Sequence, residues 1–182
     1  DVIHPQHQSP FKVCRLAIKH SEIEKAIEIG AIINEKGYDL IVNLMGISLL
    51  TEAQIQDFEK FAELEPKALY FADSYGNLEP NDVRRLAKHF RQFEVPVGIH
   101  THDNLGLAFA NSLAGITSGI DYIDGTLLGM GRGVGNVRTE QLIAYLQHDG
   151  YSYESNPVQR LITKWMKPLK QQYGWGFTHN YM

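Results

Sequence analysis

Two histidines, His100 and His102, stand one residue apart at the end of a β-rich run, PVGIHTH, and lead into Asp103-Asn104-Leu105-Gly106. Side chains alternate along a strand, so histidines at i and i+2 turn both rings to one face. Imidazole is the commonest nitrogen ligand for first-row divalent metals. Two rings do not close a site; a carboxylate, an amide or another histidine must join them, with water in open positions. The competing reading is a pair of hydrogen-bonded structural histidines. A second feature is Gly129-Met130-Gly131-Arg132-Gly133-Val134-Gly135-Asn136. Alternate glycines permit positive φ and let backbone approach a ligand. Their spacing fits neither the dinucleotide fingerprint nor the phosphate loop. Asn136 offers an amide oxygen to a metal or to a helix, Arg132 reads as solvated or ion-paired, and a flexible surface loop is the alternative. In a third feature, Ala72-Asp73-Ser74-Tyr75-Gly76, Asp73 is a ligand, a base or a turn cap. His20 directly follows a strand and by itself reads as a loop residue. His4, His7, His89, His148 and His179 show no pairing.

These residues need elements to hold them. β-rich runs begin at Lys12, Asp39, Ala68, Pro96 and Asp121, spaced 27, 29, 28 and 25 residues apart. Helix-patterned stretches lie between them, over 22–35, 52–63, 80–93, 105–118 and 139–147. In the first, Ile23, Ala26, Ile27, Gly30, Ala31 and Ile32 form an apolar stripe opposite Glu22, Lys25, Glu28 and Glu35. Thr51 and Asn81 lie near helix starts, and Gly37 suits a C-terminal cap. Strand–helix alternation at this period predicts a parallel sheet with right-handed crossovers. Two α/β readings stay open: a doubly wound sheet, or about five β/α units of a (β/α)8 TIM barrel, which takes roughly 250 residues when complete. Residues 1–150 then form the C-terminal portion of the barrel. Residues 151–182 form a tail with one more helical pattern over 158–171 and the aromatic run YGWGFTHNYM.

Alternation also assigns faces. Cys14, Leu16 and Ile18 oppose Arg15, Ala17 and Lys19; Leu40, Val42 and Leu44 oppose Ile41, Asn43 and Met45. Apolar faces belong under helices, which turns Arg15, Lys19, Asn43, His100 and His102 to the other side, a barrel's interior. Parallel strands are ordinarily apolar on both faces, and unpartnered buried cations cost several kcal/mol, so these positions ask for a reason. A ragged, solvent-facing edge is the alternative for Arg15 and Lys19.

The 182 residues carry 17 Lys plus Arg against 21 Asp plus Glu, for a net charge of -4. This lacks the basic signal of a nucleic-acid binder. No run reaches the roughly 18 apolar residues of a membrane span. The start shows no signal-peptide pattern. The single cysteine, Cys14, excludes an internal disulfide and fits a reducing compartment, so a soluble, cytoplasmic protein is expected.

Taken together, Asp73-Ser74-x-Gly76, His100-x-His102-Asp103-Asn104-x-Gly106-x-Ala108-x-Ala110-Asn111-Ser112 and Gly129-x-Gly131-x-Gly133-x-Gly135-Asn136 resemble the divalent-metal lyase and aldolase superfamily, over about residues 13–147. That superfamily includes 3-hydroxy-3-methylglutaryl-CoA lyase, 2-isopropylmalate synthase and 4-hydroxy-2-oxovalerate aldolase; the aldolase branch is the nearest in likeness, and the aromatic tail is similar to its post-barrel segment. The resemblance implies a TIM barrel with Mn2+ or Mg2+ at its C-terminal mouth. It implies His100 and His102 as ligands, Asn136 as a ligand or near neighbour, and Asp73 close to the substrate. The family's first strand carries an Asp-Arg-Glu-type motif that completes the metal site and polarises the substrate carbonyl. No such strand is seen in these residues, whose units would correspond to strands four to eight.

The expected activity is metal-dependent cleavage or formation of a carbon–carbon bond in a 2-oxo acid, through a stabilised enolate and with pyruvate as product. His100, His102 and Asn136 are the candidate metal residues. Asp73 and Lys19 are candidates for catalysis, and Arg15, Asn43 and Thr126 for substrate contact; Arg15 or Lys19 is also a candidate for the substrate's distal polar group. The alternatives are a Claisen-type synthase joining an acyl-CoA to a 2-oxo acid and a non-catalytic metal-binding homologue. The expected partner is a small 2-oxo acid, not nucleic acid or membrane, with assembly into a homo-oligomer or with a paired domain.

Overall fold

Leu40, Val42 and Leu44 are almost completely buried on one side of a short run, and Ile41 and Asn43 share the other. That division repeats through the computed structural model, which describes residues 3–177. Five strands, β1 (Val13–Ile18), β2 (Asp39–Leu44), β3 (Ala68–Asp73), β4 (Val97–Thr101) and β5 (Tyr122–Asp124), all pair in parallel in the order β1-β2-β3-β4-β5. Neighbours in sequence are neighbours in the sheet. A doubly wound sheet reverses its order at a switch point, so this order rules out that reading and leaves the barrel type.

The curvature follows from three side chains. Arg15 on β1 pairs with Asp124 on β5, Nη1 to Oδ2 2.7 Å, and its guanidinium lies 4.0 Å from the centre of the Tyr70 ring on β3. Four strand spacings in a flat sheet would separate β1 from β5 by about 19 Å, far more than an arginine and an aspartate can span. The sheet must therefore curl with Arg15, Tyr70 and Asp124 on its concave face. Their positions also measure the stagger. The register pairs Arg15 with Ile41 and Ile41 with Ala68, yet Arg15 meets Tyr70, two residues further along β3. It carries Tyr70 to Gly98 and Tyr122, yet the third member is Asp124, two residues further again. The row climbs one residue per strand, the stagger that closes eight strands with a shear of 8.

Gly98 makes room for this row. A Cβ there would clash with the outer carbons of the Tyr70 ring, so only glycine lets the ring lie across β4. Burial and the neighbouring Asp124 push the Tyr70 phenol up, keeping it neutral across the physiological range.

The convex face is conventional core. Ile18, Leu40, Val42, Leu44, Leu69, Phe71, Val97 and Ile99 pack under the helices. Those helices are α1 (Ile23–Glu35), α2 (Glu52–Gln56, continued by a 3-10 stretch Asp57–Leu64), α3 (Pro80–Phe90), α4 (Ala108–Thr117) and α5 (Thr139–His148). Phe58, Phe61, Phe71 and Phe90 are fully buried with tilted rings 5.0 to 5.7 Å apart. Each such side chain contributes roughly 1.5–3 kcal/mol of burial. The stripe of α1 differs from expectation at its end: Ile33 is buried and Ile32 is 44% exposed. Continuing the 3.6-residue period from Ile23, Ala26 and Gly30 reaches Ile33, whereas Ile32 has rotated to solvent. Thr51 does start α2: its hydroxyl accepts from the Gln54 N–H at 3.3 Å and its own N–H donates to Gln54 Oε1 at 3.0 Å. Asn81 lies inside α3, behind Glu79 and Pro80.

The single helix expected over 158–171 is α6 (Ser155–Leu161) and α7 (Lys167–Tyr173), joined through a π-helical turn, Ile162–Met166. Pro168 has no N–H and its ring presses on the carbonyl four residues back, so a widened turn before it is the local accommodation. The last part of the aromatic tail, 178–182 with His179, lies outside the described residues. Among the described residues no helix is long and apolar enough to cross a membrane.

Candidate active site

The stagger sorts the concave side chains into layers. Arg15, Tyr70 and Asp124 form one layer, with Ile41 and Gly98 beneath it. Asn43 and His100 follow, then Ala17, Ala72 and Thr126, then Met45 and His102 towards the C-terminal ends of the strands. The layer between the two histidines thus holds two alanines and a threonine, which leaves space beside the rings at the mouth. The His100 and His102 ring centres are 5.2 Å apart.

Each ring has a distinct environment. His100 Nδ1 lies 2.8 Å from Asp124 Oδ2. An N–H donated there leaves Nε2 with a free lone pair, the arrangement by which a carboxylate orients a ligating imidazole. Burial alone would push the Asp124 carboxyl up, but the hydrogen bond from His100 and the Arg15 guanidinium hold it below its ordinary value. His102 is lowered to about 4, first by burial and then by its neighbours His100 and Arg132. It is therefore neutral near pH 7, as a ligand must be.

Asn136 arrives from the glycine-rich loop. It makes an antiparallel bridge with His102, backed by the Asp103 N–H donating to Gly135 O at 2.9 Å. Gly135 has φ 104°, and a Cβ there would strike the Gly129 carbonyl, so the fold-back requires glycine. Asn136 Nδ2 donates to Met130 O at 3.0 Å, and its Oδ1 is buried without a partner. The same is true of Asn43 Oδ1 and Thr126 Oγ1. Ser48 Oγ and Asn111 Oδ1 are buried without a partner as well, so the orphaned oxygens do not by themselves mark a site; amide oxygen and imidazole nitrogen are nonetheless donor types that a first-row or hard dication accepts. Among the described residues, no group of three or more His, Cys, Asp or Glu is placed to hold a metal ion. A metal held by His100, His102 and Asn136 would therefore need further ligands.

The remaining candidates are placed differently. Strand alternation puts Asp73 on the Leu69 and Phe71 side, away from His100, and it is completely buried. Its oxygens accept from the Asn77 N–H at 3.0 Å and the Leu78 N–H at 3.3 Å. Burial pushes its carboxyl up against the pull of these donors. The geometry of Asp73 is that of a loop anchor facing away from the histidine pair. Arg15 sits beneath His100 and is committed to Asp124 and Tyr70, so it is not free at the mouth as a substrate contact would need to be. Lys19 is exposed and borders a neighbouring cavity, not the histidine pair. Several motif residues turn out to be scaffold. Asp103 accepts from the Ala108 N–H at the start of α4, Asn111 donates to Leu78 O, and Ser112 joins Thr101 and Ala108.

Sequence reasoning missed Asp124, Tyr70 and the pairing of His20 Nε2 with Asp57 Oδ2 at 3.0 Å. Asp124 sits at a strand end with its side chain on the same face as His100, which was the available signal; its partner was not readable without strand order.

A family model described as HMGL-like matches residues 8–163. The chain is 38% identical over 142 residues to a 4-hydroxy-2-oxovalerate aldolase of Carboxydothermus hydrogenoformans, covering 77% of this chain and 42% of the relative. It is 33% identical over 139 residues to an oxaloacetate decarboxylase of Mycobacterium tuberculosis, covering 75% and 41%. Among solved structures, the N-terminal domain of a putative aldolase from Bacteroides vulgatus superimposes with a TM-score of 0.87 at 35% identity, over 94% of this chain and 58% of that one. An HMG-CoA lyase of Bacillus subtilis gives 0.77 at 17% identity, over 94% and 67%, a likeness of fold. The chain spans about two-fifths of the length of the curated relatives it matches. With its parallel barrel-type sheet and a family match across most of its length, this chain belongs to the HMGL-like family.

Proposed function

We propose that this chain forms the metal-bearing side of a lyase or aldolase site for 2-oxo acids. The observation that carries this reading is the His100 and His102 pair, ring centres 5.2 Å apart, with Asn136 bridged to His102 at the C-terminal end of a curled parallel sheet. His100, His102 and Asn136 would hold Mn2+ or Mg2+, with other ligands completing the set. When bound, such an ion supplies Lewis-acid stabilisation of charge developing on a 2-oxo oxygen.

The protein residues have separable tasks. Asp124 fixes the His100 tautomer and Arg15 keeps Asp124 ionised. Ala17 and Ala72 leave room for a small substrate between the layers of the two histidines. In aldol cleavage of a 4-hydroxy-2-oxo acid, the hydroxyl proton leaves, its oxygen becomes an aldehyde and the C3–C4 electron pair passes into the enolate of pyruvate, which then takes a proton. Decarboxylation of oxaloacetate reaches the same enolate with carbon dioxide as the leaving fragment. The relatives named for these two reactions support a shared enolate chemistry.

The test is pyruvate release by the full-length protein from 4-hydroxy-2-oxovalerate and from oxaloacetate, before and after chelation and with Mn2+ restored. Loss on chelation and recovery with Mn2+ is expected. Turnover that ignores chelation defeats the metal reading, and thiol release from acetyl-CoA in place of pyruvate release points to the synthase alternative.

A further inference from the structure

Leu161, Trp165, Leu169 and Tyr173 stand four residues apart along α6, the π-helical turn and α7, and each is between 37% and 70% exposed. Steps of four drift about 40° each around a regular α-helix. The wider turn at Ile162–Met166 takes up part of that drift and keeps the stripe on one side. The helix is anchored elsewhere: Ile162 is buried where the tail packs on α5 and on the turn Leu127–Gly129, and the Trp175 indole donates to Leu128 O at 3.1 Å. The stripe is therefore surplus to the packing of the tail. Charge is segregated with it. Residues 155–182 hold four of the chain's 17 Lys and Arg and none of its 21 Asp and Glu. Among the described residues, none of the four (Arg160, Lys164, Lys167 and Lys170) is in an ion pair. Arg160, Lys164 and Lys167 are exposed, and the Lys164 ammonium lies 5.1 Å from the centre of the Trp165 ring.

A cationic helix with an apolar stripe matches a surface that is anionic and apolar at once. We propose that this helix lies in the plane of an anionic lipid surface. Leu161, Trp165, Leu169 and Tyr173 enter the boundary between headgroups and acyl chains, and Arg160, Lys164 and Lys167 meet the lipid phosphates. Trp and Tyr rings, apolar with one polar edge, favour that depth, and Lys and Arg beside them are the usual company. A protein groove would have to fit a ridge that is exposed on both flanks, whereas a fluid bilayer moulds to it. The expectation of no membrane partner rested on the lack of a spanning apolar run, which a helix lying on the surface does not need. This contact does not depend on the 2-oxo acid chemistry above. A second copy of this chain is the rival occupant, since its residues 1–154 carry 13 Lys and Arg against 21 Asp and Glu.

Co-sedimentation of the full-length protein with lipid vesicles tests it, using phosphatidylcholine alone and phosphatidylcholine with about one third phosphatidylglycerol. Partition onto the anionic vesicles is expected to be at least about tenfold stronger, because several cations act together near the surface. Rising salt should weaken it in the unaltered protein, a readout that needs no variant. Lys164→Glu and Trp165→Ser should each lower partition, with the unfolding midpoint as the check that each variant still folds. Equal partition onto both vesicle types, or none onto either, overturns the proposal. So does anionic binding that neither salt nor the two variants change. Light scattering without vesicles covers the rival occupant: absent vesicle binding, together with a solution mass that falls in Trp165→Ser, overturns the lipid contact and assigns the stripe to a second copy.

Discussion

Replacing Asp124 by Asn tests what holds His100 in place. The amide can still meet Nδ1 but no longer carries the charge that matches Arg15 and fixes the tautomer. Losing such a supporting carboxylate ordinarily lowers metal affinity about 10–100-fold. Asp124→Asn in the full-length protein should therefore weaken Mn2+ binding by that order in an equilibrium titration, and His100→Ala by more. Unchanged affinity in Asp124→Asn would show that the ring is held by something else. Asp73 calls for the opposite kind of experiment. Asp73→Ala strands two backbone donors, which costs about 1–3 kcal/mol each when buried, whereas Asn keeps one acceptor and removes a buried charge. Urea unfolding should rank Asp73→Ala well below Asp73→Asn, with Asp73→Asn retaining turnover; lost turnover at full stability would return Asp73 to catalysis. The histidine pair was legible because period-two alternation is local. Asp124 and Arg15 were not, since their meeting depends on a stagger that accumulates over four strand crossings. Asp73 was ambiguous for another reason: ALYFAD is buried on both faces, so its pattern does not say which face meets the helices.

At the scale of elements, strands and helices were readable because each repeats a simple period, and all five strands fall inside the expected runs. What escaped is where one element fixes another. Gly98 on β4 exists for Tyr70 on β3, so Gly98→Ala should force the ring, and with it Arg15, off the concave face. Overpacking of this kind costs about 1–3 kcal/mol, visible as a lower denaturation midpoint. A midpoint equal to the parent would mean the ring can swing aside freely. The tail fixes the glycine-rich loop in a similar way. Leu128 holds φ 54°, a left-handed conformation unfavourable for leucine, and is clamped from both sides. Its N–H donates to Glu140 at 3.2 Å, and its carbonyl accepts from the Trp175 indole at 3.1 Å. Trp175→Phe keeps the ring and removes the donor, so amide exchange across 128–136 should quicken while exchange in β2 and β3 stays slow.

At the scale of the molecule, one ion pair and one stacked cation tie β1, β3 and β5 together across the concave face, but the two outer strands stop there. Among the described residues, β1 has no strand beyond it and β5 none beyond it. Val13 on β1 and Tyr122 on β5 are 39% and 37% exposed. Unpaired parallel edges invite pairing with another chain, and here they flank a concave face that a closed barrel would cover. A stripe of Leu161, Trp165, Leu169 and Tyr173, each four residues after the last and all at least 37% exposed, adds apolar surface on the tail. A polypeptide limited to residues 1–182 is therefore expected to self-associate, with a scattering mass above 20.6 kDa that grows with concentration. If edge pairing drives this, a charge placed on the edge should blunt it. Val13→Lys should lower the associated fraction, whereas Tyr173→Lys should do so only if the tail stripe is the contact. A monodisperse 20.6 kDa profile for the parent polypeptide would mean that neither surface is sticky. In that case the curl imposed by Arg15 and Asp124 already bends β1 and β5 out of reach of a flat partner strand.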